Sequence, residues 1–564
     1  MTGMERKPIS DGSDADLTRC PRASAPSQAM TDLKPPVHGV TARSALILLL
    51  IFLTALVLTN PLGDFPLNDD WVYGRTVKSL VQNHEYRPTH WTSMTLLTQV
   101  LWGGLFSLPF GFSFTALRFS TLFLSLAAIL WLLFLVRSRE DPLFPAILAP
   151  LVLLFNPVYL DLSHTFMTDV PFVAIALGSV LLLERGADHD NTILLALGVG
   201  LSVLAALLRQ TGMLIPVAFG IGHLTRGRVS LRKVLLMVGF CLLTALAYVT
   251  YTRWLAAIGR LPGGHFAQWS QVLDVFRSGP VGIARHAASS LLVTYVYLGL
   301  FALPLGLLFS TGASKSRLLA LLAVSAVLLA ATRLLHLRFA GNIFSDRGVG
   351  PFTMAHTAGF TAFTGSPVSV AVLGLLALVG GALLIETLSR SVQGIGSSRL
   401  GAVCLSFAAL YFLSISLVTQ LDRYMLPYLP FLAIPALNYL HRKPPAKPAL
   451  VAAITVTLVY AAFSVAAVHD YLAWNRIRWW AARHLENDLA VPVDRVDGGF
   501  EFNGLYALPG DYVRAPGTSP WRVKVADYLI AFDEMPGYEI FEEYPVKSWL
   551  PAGIKYIYVL KRAG

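Results

Sequence analysis

The sequence predicts a polytopic α-helical membrane protein that ends in a small soluble α/β domain. Three observations predict it. Charged residues make up only 14% of the 564-residue chain and hydrophobic ones 55%, with a mean hydropathy of +0.60. A soluble domain carries about 25% charged residues. Apolar runs long enough to cross a bilayer recur from about residue 44 to about residue 470. They are unbroken rather than alternating, which reads as helices and not as barrel strands. Beyond residue 470 the composition changes: Asp, Glu, Gly and Pro become frequent, and strand-like runs such as YLIAF (528–532) and YIYVL (556–560) appear.

Residues 1–42 are polar, rich in Ser, Pro and Asp, and lack a helical period. They read as a disordered tail. The first apolar run begins near Ala45 and no A-x-A-like cleavage site follows it, so it reads as a retained helix. About thirteen spans of roughly twenty residues follow from the hydropathy. They fall near 44–60, 113–136, 142–160, 169–185, 192–208, 212–225, 232–255, 287–310, 316–335, 367–388, 398–418, 424–440 and 449–469. With the N-terminus inside, the short inside loops and their edges collect Arg137, Arg139, Arg226, Arg228, Arg232, Lys233, Lys315, Arg317, Arg390, Arg399, Arg442, Lys443 and Lys447. That satisfies the positive-inside rule, and an odd span number leaves the C-terminus outside. Within the first outer segment, DDWVYGRTVKSLVQN (69–83) places Trp71, Val72, Val77, Leu80 and Val81 mostly on one side. This predicts an amphipathic helix on the membrane surface. A second apolar stretch, 92–108, ends at Gly103, Gly104 and Pro109 and reads as a surface or re-entrant helix. Counting it as a span would put the basic clusters outside.

Several function classes find no support. The net charge of +11 is accounted for by inside loops, and no basic-aromatic stripe suggests nucleic acid. The three cysteines, Cys20, Cys241 and Cys404, form no CxxC and suggest no disulfide. Walker A and Rossmann fingerprints are absent, and Gly103-Gly104 and Gly263-Gly264 are turn signals.

What remains is a set of polar groups at outer span ends. Asp69 and Asp70 follow the first span. Asp161, His164 and Asp169 lie in DLSHTFMTD; Arg209 and Gln210 open RQTG; Asp422 and Arg423 lie in QLDRYMLP. His336, Arg338, Asp346, Arg347 and His356 share a late loop. Carboxylates suit general-base work and contacts to sugar hydroxyls. Arginine forks suit phosphate. Ionisable groups at membrane depth point to function. Each also has a bland reading. Paired acids often form a solvated turn, and an arginine at a span end snorkels to head groups. His164 and Asp169 are a weak metal pair, because no third ligand has a clear spacing. His356 is isolated. Tyr73 and other aromatics at span ends suit an interfacial belt.

Four fragments in order carry a family resemblance: NDDWVY (68–73), NPVYLDLSHTFMTDVPF (156–172), RQTGMLIP (209–216) and DRYMLPYLPFLA (422–433). Over about residues 44–440 the chain resembles the GT-C glycosyltransferases. The likeness is to the family 39-like branch, which holds protein O-mannosyltransferases and lipid A aminoarabinose transferases. The resemblance implies a GT-C fold and a polyprenyl-phosphate sugar donor. It implies a lipid, glycan or protein acceptor, and work at the outer face of a bacterial plasma membrane among membrane lipids. It makes Asp69 the catalytic base with Asp70 in support, although the family's pair is usually Asp-Glu. It makes Asp169 an acid lining the sugar or acceptor side, and Arg423 the contact to the donor phosphate with Arg209 nearby. Tyr73, His164 and His356 join the expected substrate-binding set. Divalent metal use varies within the superfamily and no ligand set here fixes it. The implied reaction is one inverting displacement. The competing reading is a transporter or lipid-linked sugar flippase. Transporters keep their polar sites at the midplane of repeated halves; here the polar groups gather at one face and no repeat is visible.

Overall fold

The computed structural model describes residues 37–564 except 137–142, 226–228, 335–340, 346, 355–366, 395–397, 419, 441–444, 508–522 and 524–525. Residues 1–36 of the polar tail, with Arg137, Arg139, Arg226, Arg228, His336, Arg338, Asp346, His356, Arg442 and Lys443, therefore lie outside the described residues or among those excepted, whereas residues 37–42, expected to be disordered, open the first helix.

Up to residue 487 the described residues are mostly helical, with one short hairpin. In order the helices are α1 (Val37–Thr59), α2 (Asp70–Asn83), α3 (Leu97–Ser107), α4 (Phe114–Val136), α5 (Leu143–Leu154), α6 (Pro157–Ser163), α7 (Asp169–Asp188), α8 (Thr192–Leu208) and α9 (Leu214–Leu224). Then come α10 (Leu231–Ala257), α11 (Ala267–Arg277), α12 (Gly279–Phe301), α13 (Leu303–Leu308), α14 (Lys315–Leu334), α15 (Pro367–Gly394), α16 (Arg399–Ile415), α17 (Tyr428–Leu440) and α18 (Lys447–Asn487). Every one of the thirteen expected spans falls on one or more of these helices. Among the described residues, six helices are long and apolar enough to cross a membrane: parts of α1 and α15, and α4, α7, α10 and α18.

Local sequence explains many of the boundaries. Asn156 caps α6, accepting from the Val158 and Tyr159 N–H groups, and Pro157 occupies the first turn where no N–H is needed. Asn191, Ser230 and Ser398 cap α8, α10 and α16 in the same way. Lipid is the natural neighbour of α10, whose Leu235, Leu242 and Leu246 are more than half exposed. Where helices meet, small residues allow close approach. A side chain at Gly299 on α12 would collide with the Ala377 carbonyl on α15, and one at Gly380 would collide with the Gly299 carbonyl.

Two expectations change in detail, and the expected short helix at 92–108 is narrowed to 97–107. The helix expected at 69–83 exists, but Trp71, Val72, Tyr73 and Val77 are buried in protein rather than laid on lipid. Its apolar side has found a partner: Trp71 meets Phe500 edge-on at 5.7 Å, and Gly504 packs against its indole. Helix α3 is 11 residues, about 16 Å, too short to cross a bilayer. It is tied to the end of α8 by bonds from Thr95 to Ala206 O and from Thr98 to Leu204 O. Finally, α18 does not stop near residue 470. It runs 41 residues, so the first part of the expected soluble domain is helix continuous with a span. The sheet beyond it has order β3 (Val496–Asp497), β4 (Tyr528–Ala531), β6 (Tyr556–Arg562), β5 (Tyr538–Pro545). The β3–β4 pair is parallel and the other pairs are antiparallel. A two-stranded hairpin, β1 (Phe344–Ser345) with β2 (Gly348–Val349), precedes α15.

The helices gather charged residues at both ends of the bundle. At one, the N-terminus of α7, the C-terminus of α8 and the turn after α16 bring Asp169, Arg209 and Arg423 together. At the other, Glu184 and Asp188 of α7 pair with Arg399 at the start of α16.

Candidate active site

Asp69 is the N-cap residue of α2, but its carboxylate makes no capping bond. The side chain is 20% exposed and faces Arg423, with Oδ2 3.9 Å from Nη1. Burial raises its pKa; Arg423 pulls it back, and Glu501 and Asp169 push it up again. The result is a carboxylate more basic than an ordinary aspartate, standing beside one cation.

Arg423 sits in a single 3-10 turn, Asp422–Met425, between α16 and α17. Its Nε and Nη1 are buried and have no hydrogen-bond partner. Burial alone lowers its pKa, but Asp169, Tyr424 and Asp69 more than restore it, so it stays charged. A buried guanidinium with idle donors is costly unless an anion comes to it. Next to it, Arg209 and Asp169 form a tight ion pair at 2.6 Å, both nearly fully buried. The Arg209 guanidinium lies over the rings of Phe172 and Tyr424, at 5.9 and 5.6 Å. Tyr73, one turn along α2 from Asp69, is buried and feels Asp69, Arg423, Asp169 and Arg209. Five of the residues expected from the sequence thus form one cluster.

Asp70 does not join them. It is 2% exposed, and its oxygens accept from the Leu67 N–H at 3.2 Å and the Phe166 N–H at 2.7 Å. It ties the first loop to the second, so its support of Asp69 is architectural. His164 is also fully buried. Its Nε2 bonds Thr59 Oγ1 at 2.9 Å and its Nδ1 bonds Leu160 O at 2.8 Å, leaving neither nitrogen for a ligand. Asp422 likewise spends Oδ2 on the N–H groups of Asn342, Ile343 and Phe344. His356 lies among the residues not described.

Two residues that sequence reasoning passed over hold the acidic loop in place. Arg118, buried within α4, donates to the carbonyls of His164, Pro61, Gly63 and Phe65. A lone charge inside an apolar run was the signal available for it. Glu501 is fully buried after β3. Its Oε1 accepts from the Asn68 N–H at 2.9 Å, and its Oε2 accepts from Thr353 and from Arg478. Asn68 is in a left-handed conformation, φ 55°, immediately before Asp69. Nothing in the local sequence around Glu501 marks it.

The residues present do not suit a divalent cation. Among the described residues no three His, Cys, Asp or Glu gather as a metal site. Asp69 and Asp169 each face an arginine, a neutralised set rather than the oxygen cage such ions prefer.

No family model and no curated protein matches the chain. Solved structures do. ArnT from Cupriavidus metallidurans bound to undecaprenyl phosphate is matched with TM-score 0.42 and 14% identity, over 83% of this chain and 75% of that one. The Archaeoglobus fulgidus oligosaccharyltransferase tethered to an acceptor peptide gives TM-score 0.42 and 15% identity, over 86% and 61%. Arabinosyltransferase EmbB from Mycobacterium smegmatis gives TM-score 0.32 and 14% identity, over 81% and 44%. Likenesses this coarse leave the functional reading to the residues themselves.

Proposed function

We propose that the protein is an inverting glycosyltransferase that moves a sugar from a polyprenyl-phosphate donor to a hydroxyl acceptor. The work takes place at the outer face of a bacterial plasma membrane. The observation that carries this reading is Arg423: a buried, charged guanidinium with two unpartnered donor atoms, 3.9 Å from the more exposed acid of the first loop. That pairing suits a phosphate leaving group beside a general base.

In the reaction, Asp69 accepts the proton of the acceptor hydroxyl while that oxygen attacks the anomeric carbon. The carbon–oxygen bond to the lipid phosphate breaks in the same displacement. The departing phosphate takes up the idle Nε and Nη1 donors of Arg423, where developing charge is best stabilised. Arg209 fixes Asp169 in place through their ion pair. A basic carboxylate is what the first step needs, and burial of Asp69 supplies it.

The test is a lipid-extract mass spectrum from wild type, a deletion strain and Asp69→Asn, backed by a donor-consumption assay on purified protein. Accumulation of a polyprenyl-phosphate sugar in both mutants, with the variant present in the membrane, supports donor class and base together. Purified protein that consumes no polyprenyl-phosphate sugar sinks the transferase reading.

A further inference from the structure

The segment between α1 and α2 leads to Asp69, and arginine side chains hold its backbone. All six consecutive carbonyls from Asn60 to Phe65 accept from guanidinium groups. The bonds alternate in origin. Pro61 O, Gly63 O and Phe65 O accept from Arg118 on α4, at 2.7, 2.9 and 2.9 Å. Asn60 O and Leu62 O accept from Nη2 and Nε of Arg476 on α18, at 2.8 and 3.2 Å. Asp64 O accepts from Arg483, seven residues further along α18. The alternation is that of carbonyls along a strand, but each edge meets guanidinium groups instead of a neighbouring strand. Arg118 and Arg476 feel each other's charge across the segment, and the carbonyl dipoles between them offset that repulsion.

This backbone needs outside support. Asn60 and Asn68 are left-handed, with φ of 52° and 55°, and such residues persist where surrounding contacts over-determine them. The two edges differ. Arg118 is 1% exposed, whereas Arg476 is half-buried and Arg483 exposed. Beyond Phe65 the N–H groups of Leu67 and Asn68 are held by Asp70 and Glu501, and Asp69 follows, 3.9 Å from Arg423. Arg423 belongs to a separate connection, the turn between α16 and α17. The distance between acid and cation therefore depends on where the first loop stands.

We propose that Arg476 and Arg483 are positioning residues: by gripping the outer edge of residues 60–65 they set Asp69 at its working place against the anomeric carbon. That role rests on the transferase reading; the hold on the loop does not.

The experiment compares wild type, Arg476→Gln and Arg483→Gln as full-length protein in nanodiscs. Hydrogen exchange is followed by mass spectrometry in peptides covering 60–69, α18 and the C-terminal sheet, beside the unfolding midpoint. Donor-consumption kinetics use the polyprenyl-phosphate sugar recovered from the deletion strain. Exchange over 60–69 is expected to quicken at least tenfold in Arg476→Gln and less in Arg483→Gln, with α18, the sheet and the midpoint unchanged. The Arg476→Gln kcat is expected to fall about 10- to 100-fold, because a small misplacement of a reacting group is costly. Its KM for the donor stays within about twofold, since Arg423 is untouched. A purely structural role would instead lower the midpoint and quicken exchange everywhere, leaving kcat per folded molecule intact, and that result overturns the proposal. Unchanged exchange over 60–69 in both variants overturns it too, as does faster exchange with unchanged kcat. If wild type consumes no polyprenyl-phosphate sugar, the transferase reading fails and the positioning role falls with it, while the exchange still decides whether the arginines hold the loop.

Discussion

Asp69 and Asp70 are neighbours in sequence with opposite fates. One faces a buried arginine and keeps some exposure; the other spends both oxygens on backbone N–H groups. Their isosteric variants separate accordingly. Asp69→Asn is expected to lower turnover by about 10²- to 10⁴-fold, measured with purified donor, with the unfolding midpoint unchanged. Asp70→Asn presents an amide N–H to a backbone N–H and is expected to cost about 1 to 3 kcal/mol of stability. Two pH dependences follow. Asp69 acts ionised, so kcat/KM falls as pH drops through its raised pKa, and the acid limb lies above the ordinary carboxylate range. Burial raises the Asp70 pKa to about 8, against about 3.9 in the unfolded chain. The folded state therefore keeps a proton that the unfolded state loses. The Asp70 contribution is full below about pH 4 and is lost as pH rises toward 8. Thermal melts of wild type minus Asp70→Asn across that range check the sign.

At the scale of elements, the reaction loop is held from two directions, and the chain distance of its supports limited what sequence could show. The helices were legible, because an apolar run of membrane length has few alternatives. The short helix α2 was legible from its apolar spacing, but not its surroundings: amphipathicity says that a face is covered, not whether lipid or protein covers it. Asp69, Asp169, Arg209 and Arg423, which the structure brings together with Tyr73, stand out in the sequence because polar residues at span ends contrast with apolar sequence. Asp70 and His164 stood out for the same reason, and only their hydrogen bonds separate them from the cluster. Glu501, 433 positions from the Asn68 N–H it accepts, had no local signal. Its buried pair with Arg478 is closed at 2.8 Å. Removing one member of such a pair costs about 3 to 5 kcal/mol. Glu501→Gln is expected to lower the unfolding midpoint and to loosen the loop before Asp69. Increased protease cleavage near residues 60–68 in the folded membrane protein would show it; unchanged cleavage with a lowered midpoint would restrict Glu501 to stability alone.

For the whole molecule, the clustered residues lie at helix ends, turns and the first turn of α2 at one end of the bundle, and a separate set of arginine–carboxylate salt bridges lies at the other. The proposed orientation makes a direct prediction. A cysteine placed at Lys78 is labelled by an impermeant maleimide added outside intact cells, and one at Lys315 is labelled only after lysis. The reverse pattern overturns the orientation while leaving the helix arrangement intact.

Helix α18 passes from the apolar bundle to the sheet without a break, over 41 residues, and its far end supplies Arg478 to the Glu501 pair. A helix of that length, about 60 Å, is a stiff mast and not a tether. The C-terminal domain consequently has no swivel at the point where this mast leaves the bundle, and rotation there would have to bend the helix. Any turning of the sheet against the bundle would work against the stiffness of one unbroken helix.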